Sequence, residues 1–116
     1  MSRTVLVCGG RSYRDRRRVY GALDTAHIHR NITMVITGGA TGADAIAADW
    51  AADRDIGLLE FSADWSQGRK AGPLRNQKML DEGKPSLVIA FPGGRGTADM
   101  IRRAEAAGIS VARVTP

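Results

Sequence analysis

The chain has a single cysteine, Cys8, and so cannot form an internal disulfide. Aromatic residues make up only 5% of its 116 residues, which leaves few stacking platforms and ranks single-stranded nucleic acid last among the partners considered. No apolar run approaches the ~18 residues a membrane span needs, and the apolar patch in MSRTVLVCGG is too short for a signal-peptide core. These absences predict a soluble, cytoplasmic protein with no membrane partner. His27 and His29 have no Cys or acidic cluster at ligand spacing, so neither a metal nor a cofactor is expected. Also missing are a long basic tail, a low-complexity segment, the Gly-Lys-Ser/Thr ending of a Walker A loop and the G-x-G-x-x-G of a dinucleotide fingerprint. Generic ATPase and dinucleotide signatures are thereby excluded.

The length fits one compact domain over residues 1–116, with hydrophobic residues at 43% and charged residues at 25%. A net charge of +5 and a pI near 10.1 favour acidic partners, a class that includes nucleotides, phosphosugars and nucleic acid alike. Five strand-sized apolar runs recur: TVLVCG (4–9), TMVITG (33–38), GLLEF (57–61), SLVIAF (86–91) and ISVARV (109–114). The first, second and fourth lack clean alternation, which suits strands covered on both faces. Helical patterns fill the gaps at 15–29, 42–54, 74–82 and 98–107, the third following Pro73 and the last stopping at Gly108. The alternation predicts a single-domain α/β fold, a doubly wound, Rossmann-like parallel sheet of about five strands with flanking helices.

Three of these strands run into a glycine pair: Gly9-Gly10, Gly38-Gly39 and Gly93-Gly94. In an open parallel sheet all three fall beyond the carboxyl ends of the strands, where ligands bind. In FPGGRGTADM (91–100) the glycines let backbone amides approach a ligand, and Thr97 is placed to cap a helix beginning at Ala98, so Pro92, Gly93, Gly94, Arg95, Gly96 and Thr97 form a candidate phosphate turn. TGGATGAD (37–44) repeats the logic through Gly38, Gly39, Thr41 and Gly42, with Thr41 and Asp44 at capping-box spacing; Asp44 is either structural or faces the ligand. CGGRSY (8–13) places Arg11 and Ser12 toward the same rim, and Cys8 reads as a small core residue. GRKAGPLRNQKM (68–79) brings Lys70, Arg75 and Asn76 into a loop and first helical turn, where a cation opposes the helix dipole and so implies an anion nearby. Trp50 and Trp65 read as core or rim packing, with Trp65 also able to stack on a base.

Taken together, GGRSY, TGGATGAD, ADW, AGPLRNQKM and PGGRGTADM, in that order, give the chain a resemblance to the SLOG superfamily of Rossmann-like nucleotide-binding domains, in its small YspA-type, YpsA-related branch. The resemblance implies a nucleotide or nucleotide-derived ligand at the strand rim. The superfamily includes the Lonely-guy-type phosphoribohydrolases, which cleave the N-glycosidic bond of a nucleoside monophosphate and carry the signature P-G-G-x-G-T-x-x-E. Pro92, Gly93, Gly94, Gly96 and Thr97 match that signature and Arg75 resembles the family arginine, whereas Met100 occupies the glutamate position. Methionine can neither activate water nor stabilise an oxocarbenium-like state, so catalysis would fall to Asp99 or Asp44 together with Arg75.

The leading expectation is therefore a sensor or binding module for a nucleotide, with phosphate on Gly94 to Thr97 and Arg75 and the base or ribose near Gly39 to Asp44. A phosphoribohydrolase-like enzyme is the alternative. Single-stranded nucleic-acid binding is the third, because the DNA-processing protein DprA shares the superfamily. The resemblance also implies a homodimer, with the Ala-rich AIAADWAAD (45–53) as a close-packing face.

Overall fold

Apolar runs become β1 (Thr4–Cys8), β2 (Met34–Thr37), β3 (Gly57–Glu60), β4 (Leu87–Ala90) and β5 (Ser110–Arg113) in the computed structural model, which describes residues 3–116. Met1 and Ser2, the start of the expected 1–116 domain, lie outside the described residues. Every strand pair is parallel and the sheet order is β3-β2-β1-β4-β5. Leu6 of β1 lies opposite Ile36 of β2 and Val88 of β4, so the three central strands are in register at mid-sheet. The helices are α1 (Arg16–Arg30), α2 (Ala43–Asp53), α3 (Ala71–Gly83) and α4 (Arg95–Ala106), with a 3-10 turn at Trp65–Lys70 leading into α3. Among the described residues no helix is long and apolar enough to cross a membrane.

Alternation along the central strands divides the core in two. Val5, Val7, Val35, Leu87 and Ile89 point to the face covered by α1 and α2, meeting Val19, Leu23, Ile46 and the fully buried Trp50. Leu6, Cys8, Ile36, Val88 and Ala90 point the other way, onto Met79 and Leu80 of α3 and Met100 and Ala104 of α4. Burying both faces explains why the central runs are almost continuously apolar in sequence. Within the Ala-rich 45–53 stretch expected as a close-packing face between copies, Ala47 and Ala51 are fully buried in the first core, while Ala45 and Ala52 are exposed and Ala48 is partly so. Small side chains there let the helix approach the sheet closely.

Two helix starts differ from expectation, and both matter for the site. α4 begins at Arg95 with Gly94 as its N-cap, so Thr97 does not cap it but lies buried within its first turn. α3 begins at Ala71, and Pro73 is accommodated within the first turn because amides there have no intrahelical acceptor to lose. Arg75 consequently sits a turn further in, where the helix dipole no longer bears on it. Its position is explained instead by the residues it touches.

Candidate functional site

The carboxyl ends of the parallel strands form one rim, and the three glycine turns lie along it. Between β1 and β4, where the strand order reverses, the backbones close on each other: Gly10 N–H donates to the Pro92 carbonyl at 2.9 Å, and the Gly10 carbonyl accepts from the amides of Tyr13 and Ala43. The open space lies to one side, above β1 and β2. It is a cavity of about 360 Å³ lined by Arg11, Gly38, Gly39, Ala40, Thr41, Ser62, Ala63, Trp65 and Arg75. No carboxylate is among these residues.

The turn after β2 owes its shape to internal hydrogen bonds. Asp44 Oδ2 accepts from the amides of Gly38 at 3.1 Å and Ala40 at 3.3 Å, and Thr37 Oγ1 accepts from Gly39 at 3.2 Å. The capping box expected between Thr41 and Asp44 is thus replaced by a longer reach back to residues 38 and 40, while the Thr41 hydroxyl donates to the Arg11 carbonyl at 3.0 Å. The reason is the start of α2: Gly42, at φ +75°, turns the chain so that Ala43 N–H is already satisfied by Gly10. With the amides of Gly38, Gly39 and Ala40 occupied, this stretch supplies walls to the cavity.

Arg75 crosses from α3 to close the floor. Its Nη1 donates to the Gly38 carbonyl at 2.9 Å and to the Phe61 carbonyl at 3.4 Å, and its Nε donates to Asn76 Oδ1 at 3.1 Å. A side chain at position 38 would collide with this guanidinium, which is what the glycine there permits. Burial pushes the Arg75 guanidinium below its ordinary value, Asp44 opposes the shift and Arg11 adds to it. Asp44 responds in the opposite sense: burial lifts its carboxyl to about 6, against the Ala40 and Gly38 hydrogen bonds and the Arg75 charge. Burial, with the Asp44 charge, also pushes the Cys8 thiol up to about 12, so it is an inert core residue at the back of the site.

The turn before α4 is built differently. No side chain caps α4, there is no acidic residue in its first turn, and Gly94, Arg95 and Gly96 are exposed. The leading amides of the helix are therefore open to an external acceptor at its positive end. Asn76 ties this turn to the cavity, because it receives Arg75 on Oδ1 and donates through Nδ2 to the Gly96 carbonyl at 3.2 Å and to Asp99 Oδ2 at 3.0 Å. Asp99 also accepts from Arg103 Nε at 2.8 Å and Arg102 Nη2 at 3.2 Å. Burial raises its carboxyl, but the Asn76 and Arg103 hydrogen bonds and the charges of Arg103 and Arg102 outweigh that and hold it below the ordinary range. Met100 is fully buried against the sheet, so the position of the signature glutamate faces the core and not the rim.

Of the residues singled out from sequence, Arg11, Gly38, Gly39, Thr41 and Arg75 come together at the cavity. Asp44 and Asn76 stand directly behind them, and Gly9, Gly10 and Gly42 form the backbone junction that holds the loops. Pro92 to Thr97 form the neighbouring turn. Ser12 and Lys70 are exposed and do not line the cavity. Ala40 falls within the 39–44 stretch expected near the base or ribose and Trp65 reads from sequence as able to stack on a base, whereas sequence reasoning misses Ser62 and Ala63; they follow β3, whose end carries no glycine pair to draw attention. Arg16 pairs with Asp49 and Arg54 with Asp24, whereas Arg11, Arg69, Lys70 and Arg95, like Arg14, Arg17 and Arg30, have no carboxylate partner among the described residues.

A family model described as YAcAr, the YspA, cpYpsA-related SLOG family, matches residues 3–68. The chain is similar to the Gene 61 protein of Mycobacterium phage D29, 42% identical over 118 aligned residues that cover 94% of each chain. In fold it is similar to MurG of Acinetobacter baumannii, with a TM-score of 0.60 at 13% identity over 95% of this chain. The chain spans 34% of the length of that structure, and at this identity the likeness is one of fold alone.

Proposed function

The chain belongs to the YspA, cpYpsA-related SLOG family, and on that premise we propose that it binds a nucleotide or nucleotide-derived ligand as a sensor or binding module. The observation that carries this reading is the rim cavity of about 360 Å³, whose charged lining consists of two guanidiniums, Arg11 and Arg75. An anionic ligand gains from both, and the half-buried Arg75 offers its remaining N–H groups in a site of reduced dielectric, where a charge-assisted bond is strong. The open amides of Arg95 to Thr97 take the phosphate alongside Arg75, and the base or ribose lies against Gly39 to Thr41. Cytoplasmic nucleotides are the pool such a site would sample.

Calorimetric titration with mono-, di- and cyclic nucleotides, ADP-ribose and NAD tests the proposal. At least one should bind below millimolar, and Arg75→Met should weaken that ligand by ~10-fold or more, the range for losing a hydrogen bond to a charged group. If the whole panel stays above millimolar, the proposal fails.

One observation favours a hydrolytic second reading. Asp44 combines a carboxyl lifted to about 6 with a place beside Arg75, as acid-base residues often do. Its Oδ1 is not used by the 38–40 turn. Asp99 is less suited, since its carboxylate already serves Asn76, Arg103 and Arg102. Release of free base from nucleoside monophosphates, abolished by Asp44→Asn and retained by Asp99→Asn, would establish hydrolysis; activity surviving in both variants would refute these assignments.

A further inference from the structure

We infer that Trp65 and Arg11 form a clamp for the base of the ligand, an inference that rests on the nucleotide-binding reading above and specifies how that site recognises its ligand. The two tryptophans of the chain set the argument. Trp50 is fully buried and its Nε1 donates to Asp24 Oδ1 at 2.8 Å, the arrangement of a core tryptophan. Trp65 is 57% exposed and lines the cavity. Its indole N–H has no acceptor among the described residues. Nothing in the core requires a large ring there.

Trp65 is nevertheless held in place. Asp64 caps the 3-10 turn, accepting from the Ser66 amide at 3.2 Å, the Ser66 hydroxyl at 2.6 Å and Gln67 Nε2 at 3.3 Å. The ring edge lies over Gly72 of α3, where an added Cβ would stand 3.9 Å from Cη2. The Arg11 guanidinium sits 5.0 Å from the indole centroid, and no other residue among those described bonds to its side chain. An indole face and a guanidinium plane on one small cavity are the two side-chain types that stack on nucleic-acid bases. Because Arg11 is exposed and otherwise unattached, it can lift to admit a planar ring, replacing one cation–π contact with a stack on each face of the base. The volume lies at the lower end of the range for ligand cavities, room for one nucleoside unit and not two. The remaining N–H groups of Arg75 and the amides before α4 are left for the phosphate.

The test compares AMP and GMP with ribose 5-phosphate by calorimetry on the full chain and on Trp65→Leu and Arg75→Met. Stacking of one base on an aromatic ring predicts that the wild type binds AMP ~5- to 100-fold more tightly than ribose 5-phosphate. Trp65→Leu should remove most of that advantage and leave ribose 5-phosphate unchanged, whereas Arg75→Met should weaken both. A readout without substitution accompanies it: AMP, but not ribose 5-phosphate, should quench the tryptophan fluorescence, with the signal coming from Trp65 because Trp50 is sealed in the core. If Trp65→Leu binds AMP as tightly as the wild type, or AMP has no advantage over ribose 5-phosphate, the clamp is overturned while the nucleotide site stands. If neither AMP, GMP nor ribose 5-phosphate binds and the wider nucleotide panel is silent too, the site reading itself fails and the clamp with it.

Discussion

The turn after β2 and the turn after β4 look like copies of each other in sequence, each a strand, a glycine pair and a helix, yet the acceptors around their backbone amides differ. Asp44 and Thr37 consume the amides of Gly38, Gly39 and Ala40, and the Gly10 carbonyl takes the first amide of α2. Among the described residues no side chain caps α4, and its first turn holds no acidic residue. A negative side chain at the start of α2 also cancels the positive helix end that would attract a phosphate. The first turn is therefore wall and scaffold, and the second is where an anion is expected. A glycine pair after a parallel strand does not by itself identify a phosphate site; the acceptors around it decide.

The sharpest way to break this contrast is Gly42→Ala. Position 42 has φ +75°, and a methyl there would overlap the carbonyl of Gly10 and the backbone of Arg11. Left-handed strain and backbone overlap together should cost about 3 kcal/mol or more, seen as a large fall in melting temperature or loss of soluble protein. A variant that melts with the wild type would show that the 38–42 turn is not a rigid scaffold.

The two carboxylates that support the turns should titrate in opposite senses. Asp44 has a folded value of about 6 against 3.8 for the free side chain, so the folded state binds the extra proton and stability falls as pH rises between those values. Asp44→Asn retains an amide acceptor and cannot ionise, so it should flatten that slope and stabilise the protein above pH 6 by roughly 1 to 3 kcal/mol. Asp99 is held below the ordinary range, so its contribution is present above the free value of 3.8 and is lost as pH falls through its folded value. Asp99→Asn should therefore cost about 1 to 2 kcal/mol at neutral pH, with the difference from wild type shrinking in acid. Melting curves of both variants from acid to neutral pH check the pair; slopes of the same sign would contradict the contrast.

Gly96→Ala gives the smallest change in stability and the finest distinction. An added Cβ at 96 meets nothing within 4 Å, and the residue lies in the first turn of α4. Exchanging a helical glycine for alanine should leave the fold unchanged or firmer by up to about 1 kcal/mol. If the glycine is there for the close approach of a phosphate, affinity for ribose 5-phosphate should fall several-fold in the same variant. Stabilisation without loss of affinity would make this turn an ordinary helix start.

Much of the architecture was legible because it depends on local patterns. Continuous Val, Leu and Ile runs separated by helical periodicity read as parallel strands buried on both faces, and the sheet follows them to within a residue or two. Two helices begin earlier than the sequence predicts for a physical reason: Thr97 is a suitable cap type and Pro73 does fall in the first turn of α3, but glycine at 94 and the 3-10 turn at 65–70 let the helices start at Arg95 and Ala71. Arg75 was identified for the wrong cause, the helix dipole, when its location is fixed by carbonyls of Gly38 and Phe61 from other elements. Trp65 reads from sequence as rim packing or a ring able to stack on a base, and only the structure separates the two, since exposure of one ring beside Arg11 is a relation between residues far apart in the chain.

The sequence by itself determined the five strands, the four helices and the assembly of three glycine turns on one rim, because hydrophobic periodicity and the parallel order leave a chain of this length few other arrangements. Tertiary structure alone decided which turn keeps its amides, why the two aspartates titrate in opposite senses, and where the cavity opens. Those outcomes depend on hydrogen bonds and burial between segments tens of residues apart, such as Gly10 with Pro92 and Arg75 with Gly38. No local pattern records such contacts.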